Sequence, residues 1–274
     1  MSEWTPRFNP WLIAMSVMLA TFMEVLDTSV ANVAVPYIAG SLSASNDEAT
    51  WVLTSYLVAN AIILPASAWF GRRFGRRNFL LVCIGLFTLS SALCGAALNM
   101  NMLVLARILQ GAGGGALQPV AQAVLQESFP VAQRGLAMAV YGLGVVVAPI
   151  IGPTLGGWIT DNFSWRWIFY INLPIGLAAL SMVARFVEDP PYLREKPAGR
   201  LDALGFTLLS IWIGALQVML DKGQEVDWFS EAWMRWLGVA FVVGLIAFIV
   251  WELRNAAPLV DLRVLRNSNL ATGT

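Results

Sequence analysis

Apolar residues in this chain come in long runs, with neither the alternation of half-buried strands nor the heptads of a coiled coil. Eight runs stand out, at 11–34, 51–70, 78–98, 102–125, 136–159, 167–187, 203–220 and 234–251. A helix that crosses a bilayer needs about 20 mostly apolar residues. Backbone polar groups inside lipid must be satisfied within their own segment, and runs of this length exceed a barrel strand. The pattern therefore predicts an all-α integral membrane protein with eight transmembrane helices. Polar or Gly/Pro-bearing connectors separate the runs. The most linker-like is 188–202 (EDPPYLREKPAGRLD), which divides a six-span block over 1–187 from an added pair over 203–252; residues 253–274 form a tail.

Composition explains why the runs cannot be the core of a soluble domain. Charged residues make up 12% of the chain and hydrophobic ones 58%, against about 25% charged in soluble domains. So few charges cannot cover a protein of this size in water, so lipid is the expected solvent for most of its surface. Basic and acidic residues balance at 17 each, which leaves charge placement as the useful signal. Thirteen of the 17 basic residues fall in the first segment, the connectors after the second and fourth runs, the end of the sixth run with the connector after it, and the tail. By the excess of Lys and Arg on the cytoplasmic side, both termini are expected there. The opening MSEWTPRFNP has neither the basic start nor the small-residue cleavage site of a secretory leader, so the first run reads as a retained span. The chain has no histidine, and Cys83 and Cys94 sit in one apolar run without CxxC spacing. Histidine-based catalysis and His metal sites are thereby excluded, and the cysteines read as small hydrophobes.

The chemistry inside the runs is sparse. Glu24 and Asp27 lie in the first run and Arg107 near the start of the fourth. Each charge costs about 2.5–3.5 kcal/mol at the centre of a spanning helix on insertion scales, so such residues are expected to find partners or a function. Glu24 and Asp27 share a helix face with Thr28 and Ala31. Burial, mutual repulsion and a nearby arginine would together make their protonation sensitive to surroundings. An ordinary buried ion pair is the plain alternative, and Arg107 could be structural. Polar stripes suggest cavity-lining or closely packed faces: Arg107, Gly111, Gly114 and Gln118 with Gln110 and Gln122 beside them, and Tyr56 with Asn60. In the fifth run Gly144, Ala148, Gly152 and Gly156 recur every four residues beside Pro149 and Pro153. Such a stripe lets another helix approach closely, and the prolines favour a kink. The seam could be static or moving.

At these residues the sequence resembles a known family. LDTSVANVAVP (26–36), LVLARILQGAGGGALQP (103–119), APIIGPTLGG (148–157) and WRWIFYINLPIG (165–176) resemble motifs of the EmrB/QacA-type drug:proton antiporters, the fourteen-helix branch of the major facilitator superfamily. RLDALG (200–205), LDKGQEVDWF (220–229) and WELRNAAPLVDL (251–262) resemble the Emr-type multidrug exporters within it. The resemblance implies a six-helix bundle made of a 3+3 inverted repeat, plus two additional helices. It implies proton coupling through Asp27 and Arg107, with Glu24 as a second candidate. From the polar stripes, Thr28, Asn32, Tyr56, Asn60, Gln110, Gln118 and Gln122 are the substrate-lining candidates. Gly144, Ala148, Pro149, Gly152, Pro153, Gly156 and Gly157 would form a gating or packing seam against the transporter's other half. The loop AWFGRRFGRR (68–77) departs from the family pattern G-x-L-x-D-R-x-G-R-R. Arg72 stands at the acidic position, Gly75, Arg76 and Arg77 remain as gating candidates, and Arg73 is left for another partner or a lipid phosphate.

The function so implied is proton-coupled efflux of small amphipathic drugs or toxic compounds across the bacterial inner membrane by alternating access. The proton gradient supplies the energy, with no cofactor and no metal. A periplasmic membrane-fusion adaptor and an outer-membrane channel are the implied partners, and nucleic acid is not. The branch carries a second six-helix bundle that would begin where this sequence stops. The expectation is thus a fragment, or a half that works with another polypeptide, with an inactive or regulatory membrane segment as the alternative. A membrane-embedded enzyme fits poorly, because the spans have no histidine, metal-ligand cluster or nucleophile–base pair.

Overall fold

A computed structural model describes residues 4–191, 199, 201–255, 258–260, 262 and 263. Among these the chain forms helices and no strand. In order they are α1 (Pro10–Leu42), α2 (Asn46–Phe74), α3 (Arg76–Gly95), α4 (Met100–Gly114), α5 (Leu117–Ser128), α6 (Val131–Asn162), α7 (Trp167–Tyr170), α8 (Asn172–Phe186), α9 (Ala203–Lys222) and α10 (Ala232–Arg254). Residues 192–198 and 200 of the expected linker and 264–274 of the expected tail lie outside the described residues.

Local signals set the helix ends. Asn9 caps α1 by accepting the Trp11 N–H at 2.9 Å, with proline at the helix start. Ser45 and Glu48 form a reciprocal capping box on α2, and Asn99 caps α4 through the Met102 N–H at 2.9 Å. α2 and α3 meet at Gly75, whose φ of 84° turns the chain where other residues would be strained.

Seven helical stretches are long and apolar enough to cross a membrane, with α7 and α8 together making one of them. The remaining expected run, the fourth at 102–125, is divided between α4 and α5 by a break at Gly115 and Ala116, so neither half reaches spanning length alone. The cause is the GAGGG stretch. A Cβ at Gly113 would lie 2.8 Å from the Phe87 backbone nitrogen, and one at Gly115 would collide with the Asn60 carbonyl. Without side chains there, the chain threads tightly between α2 and α3, and glycine's low helix propensity lets the helix break.

α1 is the central helix and packs against α2, α5, α6 and α8, while α3 packs on α4 and α8. Its buried residues feed two apolar clusters, one around Ile13, Val17, Phe87 and Leu117, the other around Leu26, Val30, Leu103 and Phe169. α9 lies against α2 and pairs with α10. The outward faces are apolar too: Leu105, Leu143, Ile150 and Ile246 are exposed, and Trp236 is 72% exposed. Such a surface suits hydrocarbon rather than water.

Candidate functional site

Asp27, halfway along α1, is only 1% exposed and ends inside a closed polar cluster. Its Oδ2 accepts from Arg107 Nη1 of α4 at 2.6 Å. Its Oδ1 accepts from Gln110 Nε2 at 2.9 Å and from Asn172 Nδ2, at the start of α8, at 2.6 Å. Arg107 is fully buried and is held from several sides. Its Nε donates to the Val52 carbonyl at 3.0 Å, its Nη1 also to Gln110 Oε1 at 2.8 Å, and its guanidinium carbon lies 4.2 Å from the centre of the Tyr56 ring. Asn172 donates further to Ser91 Oγ at 3.0 Å, which donates to the Phe169 carbonyl at 2.8 Å. The result is an ion pair inside a hydrogen-bonded cage built from α1, α2, α3, α4 and α8. A buried pair needs such a cage, because desolvation of two charges rivals their attraction.

Glu24, one turn earlier on α1, stands differently. It is 5% exposed, and its three partners are neutral: Tyr56 Oη donates at 3.0 Å, Asn60 Nδ2 at 3.3 Å and Gln118 Nε2 at 3.0 Å. Among the described residues it forms no ion pair. It lines a hollow of about 420 Å³ whose walls include Thr28, Asn32, Tyr56, Asn60 and Gln118, within the usual range of small-molecule pockets, about 300–1,000 Å³. Val25, Leu57 and Pro149 supply apolar wall.

Five of the seven substrate-lining candidates thus share this hollow with Glu24. Gln110 instead belongs to the Asp27 cage, and Gln122 lies beside Tyr141, outside the hollow. The break between α4 and α5 separates Gln110 from Gln118, so one helix run serves both carboxylates. Asn172 and Ser91 were not singled out from sequence. A polar residue inside the apolar run 167–187, in the string YINLPIG, was the available signal for Asn172.

The small-residue stripe of α6 faces α1. A Cβ at Gly156 would sit 3.1–3.3 Å from Val30 atoms of α1, one at Gly144 would sit 2.9 Å from Met18 Cε, and one at Gly152 would strike the Ser29 side chain. Ala148 is fully buried, and Ser29 Oγ donates to the Pro149 carbonyl at 3.5 Å. α1 itself packs into the groove that these small residues leave. Larger residues of α6, among them Leu143, Val146 and Ile150, face outward, and Pro153 is exposed. Gly157 has open space where a side chain would go.

At the α2–α3 junction, Arg76 pairs with Glu127 at the end of α5. The Arg77 N–H donates to Asp189 Oδ1 at 2.9 Å, and the Arg77 guanidinium donates to the Ala184 carbonyl of α8. This loop therefore ties α2 and α3 to α5 and α8, while Arg72 and Arg73 are exposed. At the opposite ends of the helices, Lys222 of α9 reaches the Asp47 carbonyl at 3.0 Å and the Thr50 hydroxyl of α2, and pairs with Glu225 at 2.8 Å. Thr54 donates to Asp221 nearby. Polar contacts thus pin the added pair to α2.

Known proteins share both sequence and fold with this chain. It is 43% identical over 275 residues to the multidrug export protein EmrB of Escherichia coli K12, a match that takes in 100% of the chain and 53% of that relative. It is 44% identical over 263 residues to the fatty acid resistance protein FarB of Neisseria gonorrhoeae, covering 95% of the chain and 51% of that relative. The chain thus spans about half the length of the curated relatives it matches. Its fold is like that of the xylose transporter XylE from E. coli in a partially occluded inward-open conformation, with a TM-score of 0.61 at 16% identity over 90% of this chain and 62% of that one. The Major Facilitator Superfamily model matches residues 17–271, and with nearly the whole sequence inside that match, the chain belongs to this superfamily of membrane transporters.

Proposed function

We propose that this chain forms one wall of the transport path of a proton-coupled exporter of small amphipathic compounds, working by alternating access in the bacterial inner membrane with both termini cytoplasmic. The observation that carries this reading is the pairing of a polar hollow with a buried Asp27–Arg107 ion pair one helical turn away. A proton on Asp27 neutralises the carboxylate and releases Arg107 from it. The cage then has to rearrange, because the guanidinium keeps its charge and its bonds to Val52 and Gln110. A device of that kind converts proton entry into a shift between two packed states. The similarity to proteins named for multidrug export and fatty acid resistance supports efflux as the direction. Across 100 mV, one charge yields about 2.3 kcal/mol, enough for about a fifty-fold gradient at about 1.4 kcal/mol per decade.

No cofactor enters this mechanism; the energy is the proton gradient. An adaptor and an outer-membrane channel belong to the same proposal, with the polar turns around Gln224–Val226 and Trp228–Ser230 at the outer end as the place to look for contact. The test is dye transport in everted membrane vesicles containing the natural gene product. Imposing a proton gradient is expected to drive dye accumulation, and Asp27→Asn is expected to abolish the gradient dependence. Unchanged coupling in that variant would remove Asp27 from the mechanism.

A further inference from the structure

We propose that Asn172 is a positioning residue that senses a proton on Asp27: its side-chain amide turns over when the carboxylate is protonated and passes the change to the junction of α7 and α8. The inference deepens the exporter reading and rests on it for the transport step, whereas the turn of the amide is observable without transport. It starts from an atom that has no partner. Asn172 is fully buried, and its Oδ1 accepts no hydrogen bond among the described residues, although its Nδ2 donates both to Asp27 Oδ1 and to Ser91 Oγ. Buried polar atoms are nearly always paired, so a carbonyl left unpaired inside a polar cage calls for an explanation.

The two oxygens of Asp27 are not equivalent as proton sites. Oδ2 faces the Arg107 guanidinium at 2.6 Å, whereas Oδ1 faces the neutral amides of Gln110 and Asn172. A proton taken up from solvent forms its O–H bond on Oδ1, away from the like charge. The new hydroxyl needs an acceptor, and both amides point NH₂ groups at it. Gln110 cannot turn its carbonyl round, because Oε1 already accepts from Arg107 Nη1 at 2.8 Å and from Cys94 Sγ at 3.4 Å. The Asn172 carbonyl has no such tie. A half-turn of that amide brings its Oδ1 against the Asp27 hydroxyl and takes its NH₂ group off Ser91. Ser91 Oγ then faces an oxygen, so its hydroxyl donates to Asn172 and releases the Phe169 carbonyl, which it holds at 2.8 Å. That carbonyl belongs to α7, two residues before the turn at Ile171 that leads into α8. One proton thereby loosens the tie between α3 and this junction. The other titratable groups near Asp27 are Arg107 of α4, Tyr56 of α2, Cys94 of α3 and Glu24 of α1. The charged residues of α5, α6 and α8 (Glu127, Arg134, Asp161 and Arg185) lie near the helix ends.

Infrared difference spectra of the purified protein between neutral and acid pH, with asparagine isotope-labelled at the side-chain carbonyl, test the inference. Protonation of Asp27 is expected as a carboxylic-acid band that is missing in Asp27→Asn. Over the same pH range one labelled amide band should shift to lower frequency, because its carbonyl gains a donor. That shift should vanish in Asn172→Gln, which keeps an amide but carries no label at the site. The assignment matters because Asn60 bonds to Glu24 and answers a proton there instead. An Asp27 acid band without a labelled amide shift overturns the inference, as does a shift that survives in Asn172→Gln. Should Asn172→Gln not fold, Ser91→Ala makes the assignment. It removes a partner of the Asn172 amide and should displace the responding band at neutral pH; an undisplaced band counts against the idea. No Asp27 acid band at any pH the fold survives overturns this inference and the proton step of the exporter reading together. The amide shift without proton-driven dye transport by the natural gene product would sink the exporter reading alone.

Discussion

Glu24 and Asp27 lie one turn apart on the same helix, yet their surroundings are opposites. Asp27 sits in a cage that supplies a full countercharge, two amide donors and almost no exposure. Glu24 has amide and hydroxyl donors, no countercharge among the described residues, and a hollow beside it. The difference comes from what packs on each side of α1. The Asp27 side meets α4 before the glycine break, together with α3 and α8, and those helices close over it. The Glu24 side meets α2 and α5 after the break, and no further helix among the described residues covers it. A charge inside a membrane needs a partner or a task, and of the two neighbours Asp27 has its partner in Arg107.

The largest effect that would test this contrast is on stability. Arg107→Ala strands a buried carboxylate, and removing one member of a buried pair costs about 3–5 kcal/mol. A large drop in the thermal unfolding midpoint in detergent is the expected result. Arg107→Lys should not restore it, because an ammonium cannot serve Val52, Gln110 and Asp27 from one planar group. Next comes Asn172→Ala, which takes one charge-assisted bond from Asp27 and should cost about 1.5–3 kcal/mol in the same assay. Glu24→Gln should be the mildest, within about 1 kcal/mol, since it removes a charge that no cation among the described residues balances and keeps the side chain's shape. Similar losses for Arg107→Ala and Glu24→Gln would erase the contrast and place both carboxylates in one structural network.

Much of this was legible in the residues. Run length and charge placement predicted a multi-span helical membrane protein, and the cost of intramembrane charge pointed to Glu24, Asp27 and Arg107 before any coordinates. Periodicity could not sort the glutamines. On an unbroken helix Gln110 and Gln118 fall near one face, and only the break at Gly115 and Ala116 sends them to different carboxylates. Asn172 was hidden because it lies 145 residues from Asp27 in sequence, and helical spacing says nothing about contacts across such a distance. The α6 stripe announced a close approach, but a run of small residues does not name the helix that will fill it, and here that helix is α1.

Tyr56 carries a consequence of its own. One face of its ring supports Arg107 and its hydroxyl holds Glu24, so the two carboxylate environments share a single side chain. Substitutions on the two sides should therefore show epistasis: residues linked through a common partner do not add their effects, whereas distant independent sites do. A combinatorial library that varies Glu24 and Asp27 over a fixed Tyr56 would sample one coupled landscape, and exchanging the tyrosine would redraw it for both acids at once.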